Sequence, residues 1–543
     1  MITKIKIKLN VTKYDCIPLY MPNRFCTKLN AFWGRRSASF CYHAGRRLLI
    51  HIRRGKTLDV FDRQPSKNSF REALMSIAQA MREESKSLIP LFGPLLISQY
   101  AQIAMGIVDT AMTARLGTVE VGSVALGVAL WMPLNVFIVG VLYSCLIFVS
   151  QLCGAGKGGE ARTVAQQGMW LGCALGAVAV AALYFLSFRL DWFGVSAELT
   201  PGAGEYVRML IWGMPLMYAG CCIRFFGDGQ GIVAPFTVIA VLMVAVNAFL
   251  NYCLIFGHFG FPRMEVGGCG LATGLGMAGF FLMGLTYNSL APRFAGKRLF
   301  KEFSRPSLAW IRRILATGLP IGLNFTSEFL IFSVITLFIS AHGAASAAAH
   351  QITFSCMMFF FALPGALSIA ISIRIGGLYG AGNIAGTRRA VTGGTGIAAA
   401  LGLVLMALMY LFAEQLALAF SDDPAVIPLA AALIRIAALF QVVDAMQVCL
   451  YGSLRGAGDT AVPFVLTSCA YWLFCIPLGY ALSGNALPFG LNVPPEVSGV
   501  RGWWLSLTAG LSLVVAVLFF RVRKMFWHST FQVTAAAAEA QPA

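Results

Sequence analysis

The chain has 543 residues, of which 58% are hydrophobic and only 12% charged, against about 25% charged in a soluble domain. With a mean hydropathy of +0.74, this excludes a soluble globular protein and predicts an all-α membrane protein that crosses the bilayer many times. The net charge of +18 would suit nucleic acid, but residues 1–90 alone hold 18 Lys and Arg against 6 Asp and Glu, so most of the excess precedes the apolar spans and no nucleic-acid partner is expected.

Residues 1–80 form a basic extension ("TKIKIKLN", "GRRLLIHIRRGK"). It has no apolar run long enough to span a bilayer and no apolar core of a secretory signal. It reads as a disordered or spurious extension, with the protein starting near Met75 or Met81; a membrane-surface arm or a transit peptide is the other reading. A first lobe, 81–305, then holds six apolar stretches centred near 102, 137, 177, 216, 245 and 280. Span 1 carries one acid, Asp109, in a stretch from Leu88 to Ala114 with no other Asp, Glu, Lys or Arg. A charge at the bilayer centre costs ~2.5–3.5 kcal/mol on insertion scales, so a partner or a function must offset it. Gln99 and Gln102 lie in the same span, and Asn247 and Asn251, four apart on one helix face, lie in span 5. Between spans 2 and 3, "GAGKGG" at 154–159 fits G-x-G-x-x-G but follows an apolar helix instead of a strand. It is expected to be a tight helix–helix turn, not a dinucleotide site.

The second lobe, 306–527, has centres near 329, 361, 400, 438, 472 and 510, and a short tail, 528–543, follows. Span 7 carries Asn324 and Glu328; span 10 carries Gln441, Asp444 and Gln447. His350 in span 8 reads as packing or a helix–helix bond in preference to a proton relay. The aromatic and methionine runs "MMFFF", "YW" and "LFF" read as lipid-facing or packing residues in preference to a drug pocket. Pro364 and Pro477 interrupt the backbone ladders of spans 8 and 11 and are expected to be bending points. The 14 cysteines show no metal-ligand spacing and read as core residues.

The halves repeat. Pairing Pro94 with Pro320 sets an offset of 226, at which Gly117 meets Gly343, "GAG" at 154–156 meets "GAG" at 380–382, and Arg162 meets Arg388. The offset drifts to 227 at Arg208 and Arg435 and to 228 at Tyr252 and Tyr480. A register that pairs Arg and Pro as well as Gly predicts a duplication. Six spans return the chain to one side, so the two lobes are parallel copies. With the N-terminus inside, the inner loops and tail carry seventeen Lys and Arg, among them Lys157, Arg162, Arg305, Arg389, Arg455 and Arg521, against six on the other side. Both termini are therefore expected to be cytoplasmic.

None of Asp109, Glu328 and Asp444 has a basic residue three or four positions away. Each is neutral, paired with a base on another helix, or facing water with an exchangeable proton or metal ion; three such acids favour the last. Burial disfavours the ionised form and a bound cation favours it, so such a group can couple cation occupancy to conformation. Sodium would want oxygen ligands. The placement is asymmetric: Asp109 pairs with Ile335 in the repeat, and Glu328 with Gln102.

"PLLISQYAQIAMGIVDTAMTARLG", "SQLCGAGKGGEAR", "VNAFLNYCLIFG", "FQVVDAMQVCLYGSLRGAGDTAVPF" and "YWLFCIPLGYAL" resemble the multidrug and toxic compound extrusion (MATE) family, in particular its NorM-like branch, over about residues 85–525. The resemblance implies twelve helices in two pseudo-symmetric six-helix lobes around a cleft, and export of organic cations and other drugs in exchange for Na+ or H+, with no cofactor. It implies that Asp109 couples to the cation or proton, that Asn247 and Asn251 line the same cavity, and that Glu328 and Asp444 form a second-lobe site, tentatively for Na+. Gln99, Gln102, Asn324 and Gln441 are expected to join the substrate cavity. Two departures from the family pattern are the N-terminal arm and Ile147, where relatives often carry a proline.

The reading is a monomeric, multi-pass antiporter of the bacterial inner (plasma) membrane, with small-molecule drugs and the lipid bilayer as partners. A flippase for lipid-linked oligosaccharide on a related scaffold is the alternative, and it predicts a strongly basic cavity. An enzyme is not expected, since no Walker A, H-E-x-x-H or G-x-S-x-G context occurs.

Overall fold

A computed structural model describes residues 48–51, 59–62, 69–194, 196–294, 298–484, 494 and 497–527. Twelve of its helices are long and apolar enough to cross a membrane, and each contains one of the expected centres. They are α1 Ser69–Thr113, α2 Thr118–Gly154, α3 Gly158–Leu186, α4 Thr200–Gly229, α5 Ala234–Phe256 and α6 Glu265–Leu290 in the N-lobe. The C-lobe holds α7 Leu308–Ser340, α8 Ala344–Gly380, α9 Ile384–Leu411, α10 Ile427–Gly456, α11 Ala461–Leu482 and α12 Val500–Trp527. By packing, residues 1–77 and 78–543 form two units, and the bundle's contacts lie within the second.

Ahead of the helices, Leu48–His51 and Asp59–Asp62 form an antiparallel strand pair. The rest of that extension up to 68, and the tail 528–543, lie outside the described residues. Helix α1 begins at Ser69, before the expected lobe boundary at 81. Hydropathy marks only the apolar part of a helix, whereas "REALMSIAQAMREE" is made of good helix formers that extend it past the membrane.

The duplication is written into the turns. Gly156 and Gly382 close α2 and α8 with φ of +76° and +66°, a region open to glycine at little cost. Their N–H groups donate to Cys153 O and Tyr379 O, and those of Lys157 and Asn383 donate to Leu152 O and Leu378 O. Both turns are the same glycine-capped helix end, 226 residues apart, and "GAGKGG" is the helix–helix turn expected of it.

The lobes meet chiefly where α2 lies against α7 and α8. Small residues let the backbones close up there. A Cβ on Gly140 would sit 2.6 Å from Gly322 Cα, and one on Gly154 would collide with the Gly377 carbonyl. Ser144 Oγ donates to Ile314 O at 3.1 Å, and Gln151 Nε2 to Gly456 O at 2.8 Å. One hydrophobic cluster runs through the N-lobe and across this seam into α7, the second half of α8 and parts of α9, α10 and α12. A second cluster, within the C-lobe, gathers around Trp503, Trp504 and Phe440.

The seam is tight at the end of the bundle where α1 begins. At that end Glu84 of α1, 1% exposed, receives Arg374 Nε of α8 at 3.0 Å and Arg389 Nε of α9 at 3.2 Å. The α6–α7 connection also folds onto α3 there, with Gln167 Nε2 donating to Arg305 O at 2.8 Å and Arg162 paired to Glu302 at 3.0 Å. The bundle's outer surface exposes Val178, Leu242, Leu337, Leu403, Leu473 and Phe520. So much contiguous apolar surface requires lipid around it, and the chain is a multi-pass membrane protein.

Candidate functional site

In the N-lobe, α1 aims Asp109 at α5 and α6. Asn251 Nδ2 donates to its Oδ1 at 2.6 Å and Thr273 Oγ1 to its Oδ2 at 3.5 Å. The four-residue spacing of the asparagines does what it predicts: Asn251 Nδ2 also reaches Asn247 Oδ1 at 3.1 Å. Asn247 and Asn251 are fully buried and Asp109 is half-buried. Two polar atoms in this group, Asn247 Nδ2 and Asn251 Oδ1, have no hydrogen-bond partner. A buried amide atom without a partner is costly, so this group retains capacity for a further hydrogen bond.

The C-lobe holds a second cluster. Glu328 Oε1 on α7 accepts from Asn324 Nδ2 at 3.1 Å, Gln447 Nε2 of α10 at 3.2 Å and the Tyr471 hydroxyl of α11 at 3.5 Å. Asn324 Oδ1 in turn accepts from Thr467 Oγ1. Asp444, buried on α10, lies within electrostatic reach of Glu328. Its Oδ2 has no partner, nor have Gln447 Oε1 and either amide atom of Gln441. This cluster therefore holds two carboxyl groups and further side-chain oxygens without hydrogen-bond partners. Among the described residues, neither Asp109, Glu328 nor Asp444 forms an ion pair with Lys, Arg or His.

Other expected positions are distributed differently. Gln102 is exposed and reaches Gln99 Oε1 at 3.4 Å, and Gln99 faces Gly365 of α8 across the seam. Asn247, Asn251, Asn324 and Gln441 are enclosed within their lobes. His350 bonds Thr336 of α7 through Nε2 at 2.9 Å and lies by Phe354 and Trp504, a helix–helix bond in an aromatic setting. Met358, Phe359, Trp472, Phe519 and Phe520 are exposed. Cys145, Cys222, Cys253 and Cys269 are free and buried. Thr273, Thr467 and Tyr471 join the acid clusters without a sequence signal of their own, beyond Tyr471 standing in "YW". Arg455 is corrected: counted with the loop charges, it is 3% exposed inside α10, because the turn begins only after it.

The MatE family profile matches residues 94–253 and 320–481, segments whose starts lie 226 residues apart and whose ends lie 228 apart, the register of the repeat. The chain belongs to the MatE family. Among its relatives, "Multidrug resistance protein PmpM" of Pseudomonas aeruginosa is 37% identical over 447 residues, covering 82% of this chain and 92% of the relative. "Multidrug resistance protein NorM" of Photobacterium profundum is 31% identical over 442 residues, covering 81% and 96%. The NorM-like resemblance is thereby borne out. Among solved structures, the MATE transporter VcmN of Vibrio cholerae matches with a TM-score of 0.73 at 16% identity over 82% of this chain and 98% of that one. The eukaryotic MATE transporter AtDTX14 matches with a TM-score of 0.71 at 20% identity over 82% and 96%. At these identities the structures establish the fold: twelve helices in two lobes, as expected. Within that MatE fold the two acid clusters sit one per lobe, on α1, α5 and α6 and on α7, α10 and α11.

Proposed function

We propose that this chain is a secondary multidrug efflux antiporter that exports organic cations and other drugs in exchange for Na+ or H+. The relatives named as multidrug resistance proteins support the substrate class. The observation that carries the coupling is the pair of clusters, in which carboxylates inside membrane spans are met by uncharged donors alone. Among the described residues no base is ion-paired to them, which leaves countercharge for a mobile cation to supply: a proton, a sodium ion or a cationic drug. A ligand shifts an equilibrium only by its differential affinity for the two states, so a cation that binds these acids better in one arrangement of the lobes drives the exchange. Acidic clusters favour this over a flippase, whose pyrophosphate cargo needs a basic cavity. No step calls for a nucleophile or a resident cofactor, so the chain acts as a transporter and not as an enzyme.

Lys and Arg crowd the end where α1 begins, which by the positive-inside rule faces the cytoplasm of a bacterial inner membrane. The seam is closed at that end, which on this orientation is the cytoplasmic one, and a monomer contains both sites. The test is ethidium transport by inverted vesicles, in which export appears as uptake into the lumen, under an imposed sodium or pH gradient. Asp109→Asn, Glu328→Gln and Asp444→Asn are expected to abolish gradient-driven efflux while reaching the membrane normally. Normal pumping by all three overturns the assignment.

A further inference from the structure

Arg455 is the second-last residue of α10 and is 3% exposed. Its Nη2 donates to Ser368 Oγ of α8 at 2.8 Å. Its guanidinium carbon lies 4.8 Å from the ring centre of Tyr451, 4.9 Å from that of Tyr143 and 5.4 Å from that of Phe325. Tyr143 belongs to α2, so one wall of this aromatic cage comes from the opposite lobe. Arg455 Nε and the hydroxyls of Tyr143 and Tyr451 have no hydrogen-bond partner. No carboxylate forms an ion pair with Arg455 among the described residues. Aromatic faces offset only part of the cost of burying a cation, so a countercharge has to come from further off.

The repeat shows what the C-lobe lacks. Gly231 and Gly458, 227 apart, close α4 and α10 with the same geometry, φ +77° and +88°, their N–H groups donating to the carbonyls of Asp228 and Arg455. Arg455 therefore stands where the N-lobe has Asp228, and Tyr451 where it has Arg224. In the N-lobe those positions form a closed pair, Arg224 Nε to Asp228 Oδ2 at 3.2 Å. The C-lobe has a cation at the acid's position, a tyrosine at the cation's, and no local anion. The carboxylate in its field is Glu328, one turn along α7 from the cage residue Phe325.

We propose that Arg455 is a tethered cation of the Glu328–Asp444 site: with both carboxylates ionised it leaves that pair one charge short of neutrality, so that a single monovalent cation completes it, and the N-lobe's Tyr143 holds the guanidinium back from competing. This rests on the reading of Glu328 and Asp444 as the ion site. The remaining charged and titratable neighbours do not alter the count. Tyr471 of α11 and Tyr451 of α10 face Glu328 as phenols, and Cys449 lies beside Asp444 on α10 as a thiol. Arg224 and Asp228 of α4 cancel each other near Tyr143, and Asp459 is taken by Arg521 at 2.7 Å. When the lobes part along the seam, Tyr143 leaves with α2. The freed guanidinium then turns to Glu328 and expels the bound cation, which ties lobe motion to cation release. Arg455 is on this account a positioning residue.

The two halves of the proposal predict opposite shifts in the half-saturating concentration of the driving cation, measured by transport in proteoliposomes. Arg455→Gln removes a repelling charge and is expected to lower it about tenfold (~1.4 kcal/mol), while Arg455→Lys holds it within about twofold. Tyr143→Leu opens the cage and is expected to raise it at least about threefold. A folded Arg455→Gln protein with the wild-type value overturns the proposal. So does a Tyr143→Leu protein whose value is unchanged or lower, which decides the matter if Arg455→Gln does not fold. A Glu328→Gln protein that keeps the wild-type cation dependence removes the ion site itself, and the proposal with it, a failure distinct from the other two.

Discussion

Asp109 shows how little separates a binding group from a structural one. It has a 2.6 Å bond from Asn251 and a long one from Thr273, both neutral, so its environment can hold it without neutralising it. Asp109→Asn keeps the shape and loses the charge. Efflux is expected to fall at least about tenfold, as loss of ~1.4 kcal/mol or more of coupling would give, with an unaltered amount of protein in the membrane by fluorescence-detected chromatography. Asn251→Ala leaves the carboxylate without its short donor. It is expected to cost about 1–3 kcal/mol of stability, read as a lower thermal midpoint, with a smaller loss of efflux than Asp109→Asn. Asp109, Asn247 and Asn251 were legible because a charge or amide in an apolar run is conspicuous and the four-residue spacing fixes a shared face. Thr273 was not, because a membrane-helix threonine ordinarily bonds its own backbone, as Thr273 also does to Cys269 O at 3.0 Å. Arg455 misled the reading because a cation beside a turn looks the same in sequence whether it faces water or the neighbouring lobe.

At the scale of the element, helix centres were legible and helix interiors were not. Hydropathy locates α11, and Pro477 foretells a disturbed ladder, but the form it takes is a π turn at Ala470–Cys475. Pro477 has no N–H to offer the Leu473 carbonyl four residues back, and a widened turn is one way to absorb that. The turn carries two of the residues that α11 presents to α7: the Tyr471 hydroxyl at 3.5 Å from Glu328 and Trp472 Nε1 at 2.8 Å from Ser327 Oγ. Pro477→Ala restores the donor and favours a regular α-helix, which rotates the preceding side chains by about 100° for each residue withdrawn from the bulge. Efflux is expected to fall about threefold or more, through the lost Tyr471 contact, while the thermal midpoint holds or rises because a helix-interior proline costs about 3 kcal/mol. Full activity in this variant would show that the π turn serves folding alone.

Across the whole molecule, the lobes are joined by one shared core and one cluster of charges at the same end. The core crosses from α2 into α7 and α8. The charges add a clasp, since α1 belongs to the N-lobe through Asp109 and through Thr237, whose Oγ1 donates to Pro94 O at 2.8 Å. Yet the same helix sends Glu84 to Arg374 and Arg389 of the C-lobe, and Glu83 to Arg389 at 2.9 Å. Glu84 is buried while both arginines keep part of their surface in solvent, so the clasp is worth less than a fully buried pair. About 1–2 kcal/mol is a fair magnitude, between exposed and buried ion pairs. An alternating-access cycle needs these contacts to break whenever the lobes open at this end. Glu84→Gln is therefore expected to shift the balance between closed and open by about five- to thirtyfold. Spin labels at Lys157 and Asn383, in the equivalent turns of the two lobes, report that separation directly. In the variant the long-distance fraction should grow at the expense of the short one, and high salt should do the same to the wild type, more weakly, because Glu84 is shielded from ions. An unchanged distance distribution would place the whole of the lobe contact in the glycine-lined seam and leave the clasp no part in it.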